Sequence, residues 1–136
     1  GLCPACGKPV TVGVMSRVEE LADRPAGEKS LLWRPYDNLI PLPEIIAEAK
    51  DMAAGSKAVQ ELFMQILAKC GNEMFVLKEA PLAMIQSMAG DLVAEGLRRM
   101  RAGQLKIAPG YDGEYGQIHL FSSEERKTIG GQLTLF

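Results

Sequence analysis

Glycines at positions 55, 71, 90 and 103 cut the middle of this chain into stretches whose apolar residues recur every three or four positions. That spacing gathers the apolar side chains of each stretch on one helical face, and glycine closes a helix because it adopts backbone angles that other residues resist. The first stretch starts near Pro43, carries Ile45, Ile46, Ala49, Met52 and Ala53 on one face, and is expected to stop at Gly55. The second is capped by Ser56, runs through Val59, Leu62, Phe63, Ile66, Leu67 and Cys70, and ends at Gly71, so the two form an antiparallel pair joined by a very short turn. A third region extends from about Pro81 to Arg101 with a break near Gly90; Met88, Leu92, Val93, Leu97 and Met100 form its stripe, and Gly96 permits a close helix neighbour. With 47% hydrophobic and 24% charged residues, the 136-residue chain can bury a core of its own, as one compact domain with loose ends. Cys70 falls on the core face, where a thiol without a basic neighbour is inert, and the seven methionines read as adaptable core filling.

Beyond the helices the pattern changes to short alternating segments. Leu105-Lys106-Ile107 and residues 117–121 flank Pro109-Gly110-Tyr111-Asp112-Gly113-Glu114-Tyr115-Gly116, which reads as the connection of a β-hairpin. This is not a phosphate-cradling loop, since it lacks a Gly-Lys-Ser/Thr ending and a following helix, and Asp112 and Glu114 repel phosphate. Tyr111 and Tyr115 are instead suited to stacking on bases. Fifteen basic against seventeen acidic side chains give a net charge of −2, so any nucleic-acid contact has to come from a local patch. The candidate patch is Arg98, Arg99 and Arg101 in the last helical turn, followed by Lys106; these cations either contact phosphate or simply oppose the helix dipole. His119, the single histidine, sits in an alternating strand as a cross-strand or surface residue. Ser122 and Glu125 form a capping box for a short helix over 123–127.

The two ends carry the remaining chemistry. Cys3-Pro4-Ala5-Cys6-Gly7-Lys8 is a CxxC followed by a tight turn that aims two thiolates at one ion, or a glycine-terminated turn with two incidental thiols. Tetrahedral zinc needs further ligands, so residues 1–24, with a strand over 9–14, are expected to be the second half of a zinc ribbon whose first pair lies upstream. The absence of an initiator methionine points the same way, towards a fragment of a longer protein, and three cysteines argue against a disulfide scaffold. Residues 25–43 are expected to be a linker, 44–121 the helical domain with its terminal hairpin, and 122–136 a short helix and flexible tail. No apolar run approaches the roughly 20 residues that span a bilayer, and no signal peptide is evident, so a cytoplasmic location without membrane contact is expected. The tail Gln132-Leu133-Thr134-Leu135-Phe136 comes after a Gly130-Gly131 tether and resembles the motif by which bacterial DNA-processing proteins dock on the replication sliding clamp; a C-terminal edge strand is the other reading.

Several separated segments also resemble one family: Cys3-Pro4-x-Cys6-Gly7-Lys8 with the run from Val12-Gly13-Val14 to Arg24-Pro25, then Leu39-Ile40-Pro41-Leu42-Pro43-Glu44-Ile45-Ile46, and the Gly/Tyr loop. Together they resemble the C-terminal part of endonuclease Q-like proteins, PHP-domain proteins of which some bacterial members carry a UvrD-helicase-like label. The resemblance implies DNA cleavage beside deaminated bases such as uracil and hypoxanthine, with catalytic divalent metals held in an N-terminal PHP domain that this chain lacks. It also implies a four-cysteine zinc site to which Cys3 and Cys6 supply the second pair. The expected fold is mainly α with small β elements. The expected function is that of a non-catalytic region gripping DNA through Arg98, Arg99, Arg101, Lys106, Tyr111 and Tyr115. Gln132, Leu133, Leu135 and Phe136 would bind the clamp. A pure protein-interaction module and a helicase-associated accessory domain are the alternatives.

Overall fold

The computed structural model describes residues 1–10, 12–110 and 114–130, the side chains of 123, 127 and 130 excepted. Two compact units make up the chain, Gly1–Tyr36 and Asp37–Phe136. In the first, the Cys3 N–H donates to the Lys8 carbonyl at 2.8 Å and the Gly7 N–H to the Cys3 carbonyl at 2.8 Å, closing a tight turn in which Gly7 takes φ 67°. Leu2 and Pro9 form an isolated antiparallel bridge across it. The strand expected to extend through residue 14 gives way to a helix, because Val14 opens α1 (Val14–Leu21). A lone strand leaves its backbone groups unpaired, whereas a helix satisfies them internally. Nearby, the Lys29 ammonium lies 3.9 Å from the centroid of the Trp33 ring.

The second unit is mainly helical. Helices α2 (Leu42–Lys50), α3 (Lys57–Cys70), α4 (Glu73–Lys78), α5 (Leu82–Ala89) and α6 (Asp91–Arg101) precede strands β1 (Lys106–Ala108) and β2 (Gln117–His119), with α7 (Ser123–Gly130) after them. Leu42, Ile45, Ile46, Ile66, Ile85, Leu97 and Leu120 are fully enclosed, each worth roughly 1.5–3 kcal/mol of burial. Cys70 packs half-buried against this core. The expected linker ends earlier than 43, at the boundary after Tyr36, because Leu39 and Ile40 pack on the core and Leu42 is buried in it.

Helix ends have identifiable caps. Ser56 accepts from the Val59 N–H at 3.4 Å and Gly71 closes α3 at φ 86°, as the sequence indicates. Gly90, at φ 93° and ψ 172°, both ends α5 and starts α6. Helix α2 stops short of Gly55, however. Asp51 adopts the left-handed conformation at φ 55° and the Met52 N–H returns to the Ala47 carbonyl at 3.0 Å, leaving Met52 half exposed rather than on the core face. Arg126 of α7 holds Asp51 through a 2.5 Å ion pair. Gly96 is where α6 presses on α2: a Cβ there would lie 2.9 Å from Ile45 Cγ2. No helix among the described residues is long and apolar enough to cross a membrane.

Candidate functional site

The hairpin stands out from the second unit because none of its strand residues is buried. β1 and β2 pair antiparallel in the register Lys106 with His119, Ile107 with Ile118 and Ala108 with Gln117, so Ile107 and Ile118 share one face. These isoleucines are 66% and 50% exposed and Tyr115 is 98% exposed, so the ribbon presents apolar surface to solvent. Two glycines pinch the neck of the loop. A Cβ on Gly110 would fall 2.5 Å from the Glu114 carbonyl oxygen and 2.6 Å from the Gly116 nitrogen, so only a residue without a side chain fits.

The root of this ribbon is fixed by charged side chains from the helical body. Glu48 of α2 accepts from the Leu120 N–H at 2.9 and 3.0 Å through its two oxygens and from the Phe121 N–H at 3.0 Å. Arg99 of α6 donates to the Leu120 carbonyl at 2.7 Å and lies 4.9 Å from the centroid of the Phe121 ring. Leu120 and Phe121 themselves are buried in the core. Ser122 and Glu125 then close the predicted capping box reciprocally, at 3.2 and 2.7 Å.

The basic residues singled out from sequence have unequal surroundings. Arg98 and Arg99 both bind Glu95, at 2.7 and 2.8 Å, and Arg99 and Lys106 both reach Glu125 at 3.1 Å. Three cations thus meet two carboxylates, a surplus of one positive charge. The Arg98 hydrogen bond, ahead of that from Arg99, holds Glu95 down to about 2, while the Ser122 backbone N–H, then Lys106, holds Glu125 down to about 2. Arg101 is not part of this network. Its guanidinium donates to the carbonyls of Leu77 at 2.9 Å, Val76 at 2.7 Å and Ala80 at 2.8 Å, capping the C-terminal end of α4. Of the four, Arg98 and Lys106 have the more exposed side chains, 46% and 60%, against 15% for Arg99. An open groove of about 350 Å³ runs beside Arg98 past Leu82, Gln86, Glu95 and Ile129.

At the N-terminal turn, backbone N–H groups of Cys6 and Ala5 and the Cys6 side chain lower the Cys3 thiol from its ordinary 9.0. That favours the thiolate a metal requires. Cys6 is exposed, and among the described residues no cluster of three or more ligating side chains surrounds the pair. Two thiols are donors suited to zinc, and alone they supply two of the four ligands that a tetrahedral site takes. Tyr111, Asp112, Gln132, Leu133, Leu135 and Phe136 lie outside the described residues. Sequence reasoning missed Glu48, Ile107 and Ile118. Glu48 had a signal, because it lies three residues after Ile45 and so intrudes on the predicted apolar face.

Residues 41–104 match the family described as the MJ0043 C-terminal domain. Over 116 residues, 85% of the chain, the sequence is 41% identical to the uncharacterized protein MJ0043 of Methanocaldococcus jannaschii, of which it spans only 14%. Two solved structures are similar across nearly the whole chain. One is the lesion-specific endonuclease PfuEndoQ from Pyrococcus furiosus, with 36% identity, a TM-score of 0.72, 94% of this chain and 33% of that one covered. The other is endonuclease Q in complex with a 27-mer duplex substrate with an abasic lesion at the active site, with 37% identity, a TM-score of 0.71, and 98% and 33% covered. In sequence and fold, then, the chain is similar to a region one third the length of endonuclease Q.

Proposed function

We propose that this chain is the non-catalytic, DNA-gripping region of a cytoplasmic DNA-repair endonuclease acting at deaminated bases, tethered by its tail to the bacterial sliding clamp. The observation that carries the reading is the likeness to endonuclease Q across both units. The exposed hairpin supports it, because Tyr115 offers a ring face to a base while Arg98 and Lys106 lie on the side of α6 and β1 available to phosphate. Arg99 and Arg101 act from beneath, as residues that hold this surface in place. Cys3 and Cys6 supply two of the four ligands of a zinc site completed outside the described residues, and the catalytic divalent metals belong to a PHP domain elsewhere in the longer protein. Bound zinc would make the N-terminal turn a rigid element.

A salt-dependent DNA titration tests the reading. Binding should weaken with added salt, and Arg98→Ala with Lys106→Ala should reduce the log–log slope by roughly two. No binding at low salt would overturn it and leave the protein-interaction reading in its place. For the tail, Leu135→Ala with Phe136→Ala should abolish binding to the clamp, of roughly micromolar strength, with the melting temperature unchanged. Unfolding of the double variant would mean that these residues form a core strand instead.

A further inference from the structure

The hairpin contributes no buried strand residue to the core. Its six strand residues are all exposed, yet a carboxylate from α2 and a guanidinium from α6 converge to grip both backbone groups of Leu120 immediately after β2. Glu48 and Arg99 are 18% and 15% exposed, so two largely desolvated charges fix Leu120 and Phe121 in the core and, with them, the root of the ribbon. At its far end the backbones of Gly110 and Gly116 approach so closely that no side chain fits between them. A rigid mount beneath an exposed apolar face is the construction of a tool that pushes into something.

Resting on the reading of the chain as a DNA-gripping region, we infer that the hairpin is a wedge for duplex DNA with an interrupted base stack, Ile107 and Ile118 filling the gap and Tyr115 stacking beside it. The charge distribution selects this partner over an intact duplex. Lys106 is the one lysine or arginine among the six strand residues, so the ribbon by itself offers regularly spaced phosphates a single contact. The strands also carry no carboxylate that a polyanion would repel. Apolar side chains meet DNA profitably where bases are unstacked, by replacing lost stacking contacts, and an aromatic ring stacks on any base without regard to sequence. Such a wedge therefore discriminates by distortion rather than by sequence, and its contribution is insensitive to salt.

The test uses fluorescence anisotropy of the whole chain with two duplexes of identical sequence, one fully paired and one with a single abasic position. The wild-type chain should bind the abasic duplex roughly tenfold tighter, in keeping with the energy of one stacked base. Ile107→Thr with Ile118→Thr keeps strand propensity while removing most apolar surface, and should bring the abasic affinity to that of the paired duplex with an unchanged salt slope. Tyr115→Ala, at a 98% exposed position where folding is not at risk, should reduce the same preference several-fold. Discrimination that survives in both variants overturns the wedge and leaves the DNA-gripping reading standing. Failure of the wild-type chain to bind either duplex overturns both. Concentration-dependent self-association lost in the isoleucine variant would assign the face to a second copy of the chain and overturn the wedge as well.

Discussion

Replacing Arg101 with methionine separates a residue that serves the fold from one that serves a ligand. The three carbonyls it satisfies belong to Val76, Leu77 and Ala80, which are 0%, 3% and 0% exposed, so solvent has poor access to them once the guanidinium is gone. Leaving a buried carbonyl without a partner costs about 1–3 kcal/mol, which sets a ceiling of roughly 3–9 kcal/mol for the three. Burial also pushes the Arg101 pKa downward, the mark of a partly desolvated cation, and removing that cation returns part of the loss. A net destabilisation of about 3 kcal/mol is expected, corresponding to a melting temperature lower by roughly 12–24 °C for a unit of this size. Arg101→Lys keeps a charge but lacks the planar fork that reaches several acceptors at once, so it should fall between the two. Urea denaturation monitored by far-UV circular dichroism reads the difference as a shift in midpoint at constant slope. An unchanged midpoint combined with weakened DNA binding would refute the assignment, and would return Arg101 to phosphate contact, one of the two readings that the sequence left open.

What could be read from sequence and what could not divide along physical lines. Helix α3 was legible because Ser56, the apolar face and Gly71 all lie within the segment itself, and the Ser122–Glu125 capping box is equally local. The break at Gly90 was legible because few residues other than glycine adopt its backbone angles. Helix α2 is shorter than its apolar pattern because its end is set by Asp51, whose left-handed conformation accompanies an ion pair with Arg126, 75 positions away. Helix α4 has no counterpart in the sequence pattern. Its six residues are too short for a periodic signal, and its ends depend on the Asn72 side chain and on Arg101 from another helix. The clustering of three arginines could be seen, but not their different fates. Arg98 reaches solvent, Arg99 binds the hairpin root and Arg101 caps α4, and these are long-range relations that spacing does not encode. Even so, Arg101 lies four residues after Leu97 on the inner stripe, a placement that already argued against a freely solvated cation.

Three further outcomes are expected. Gly90→Ala should destabilise the second unit by roughly 1–3 kcal/mol, because φ 93° with ψ 172° is open essentially to glycine alone; an unchanged denaturation midpoint would show that the α5–α6 junction can relax. Zinc added to the isolated chain should be held weakly by Cys3 and Cys6, whereas stoichiometric metal retained against a competing chelator after Cys3→Ser with Cys6→Ser would place the site elsewhere. The last concerns acid. Glu95 and Glu125 are both held down to about 2 in the folded chain, from an ordinary 4.5, chiefly by the Arg98 hydrogen bond and the Ser122 backbone N–H respectively. Between those values the unfolded chain binds more protons than the folded one, so stability falls as the pH falls. Their contribution is fully present above about pH 5 and is progressively lost on the way down to about 2. Glutamine at both positions should therefore lower stability at neutral pH and flatten its decline, so that variant and wild-type curves converge near pH 2. Curves that stay parallel from pH 5 to 2 would show that other carboxylates set the acid limit, and that the Arg98–Glu95–Arg99–Glu125–Lys106 chain contributes nothing net to holding the hairpin root against α6.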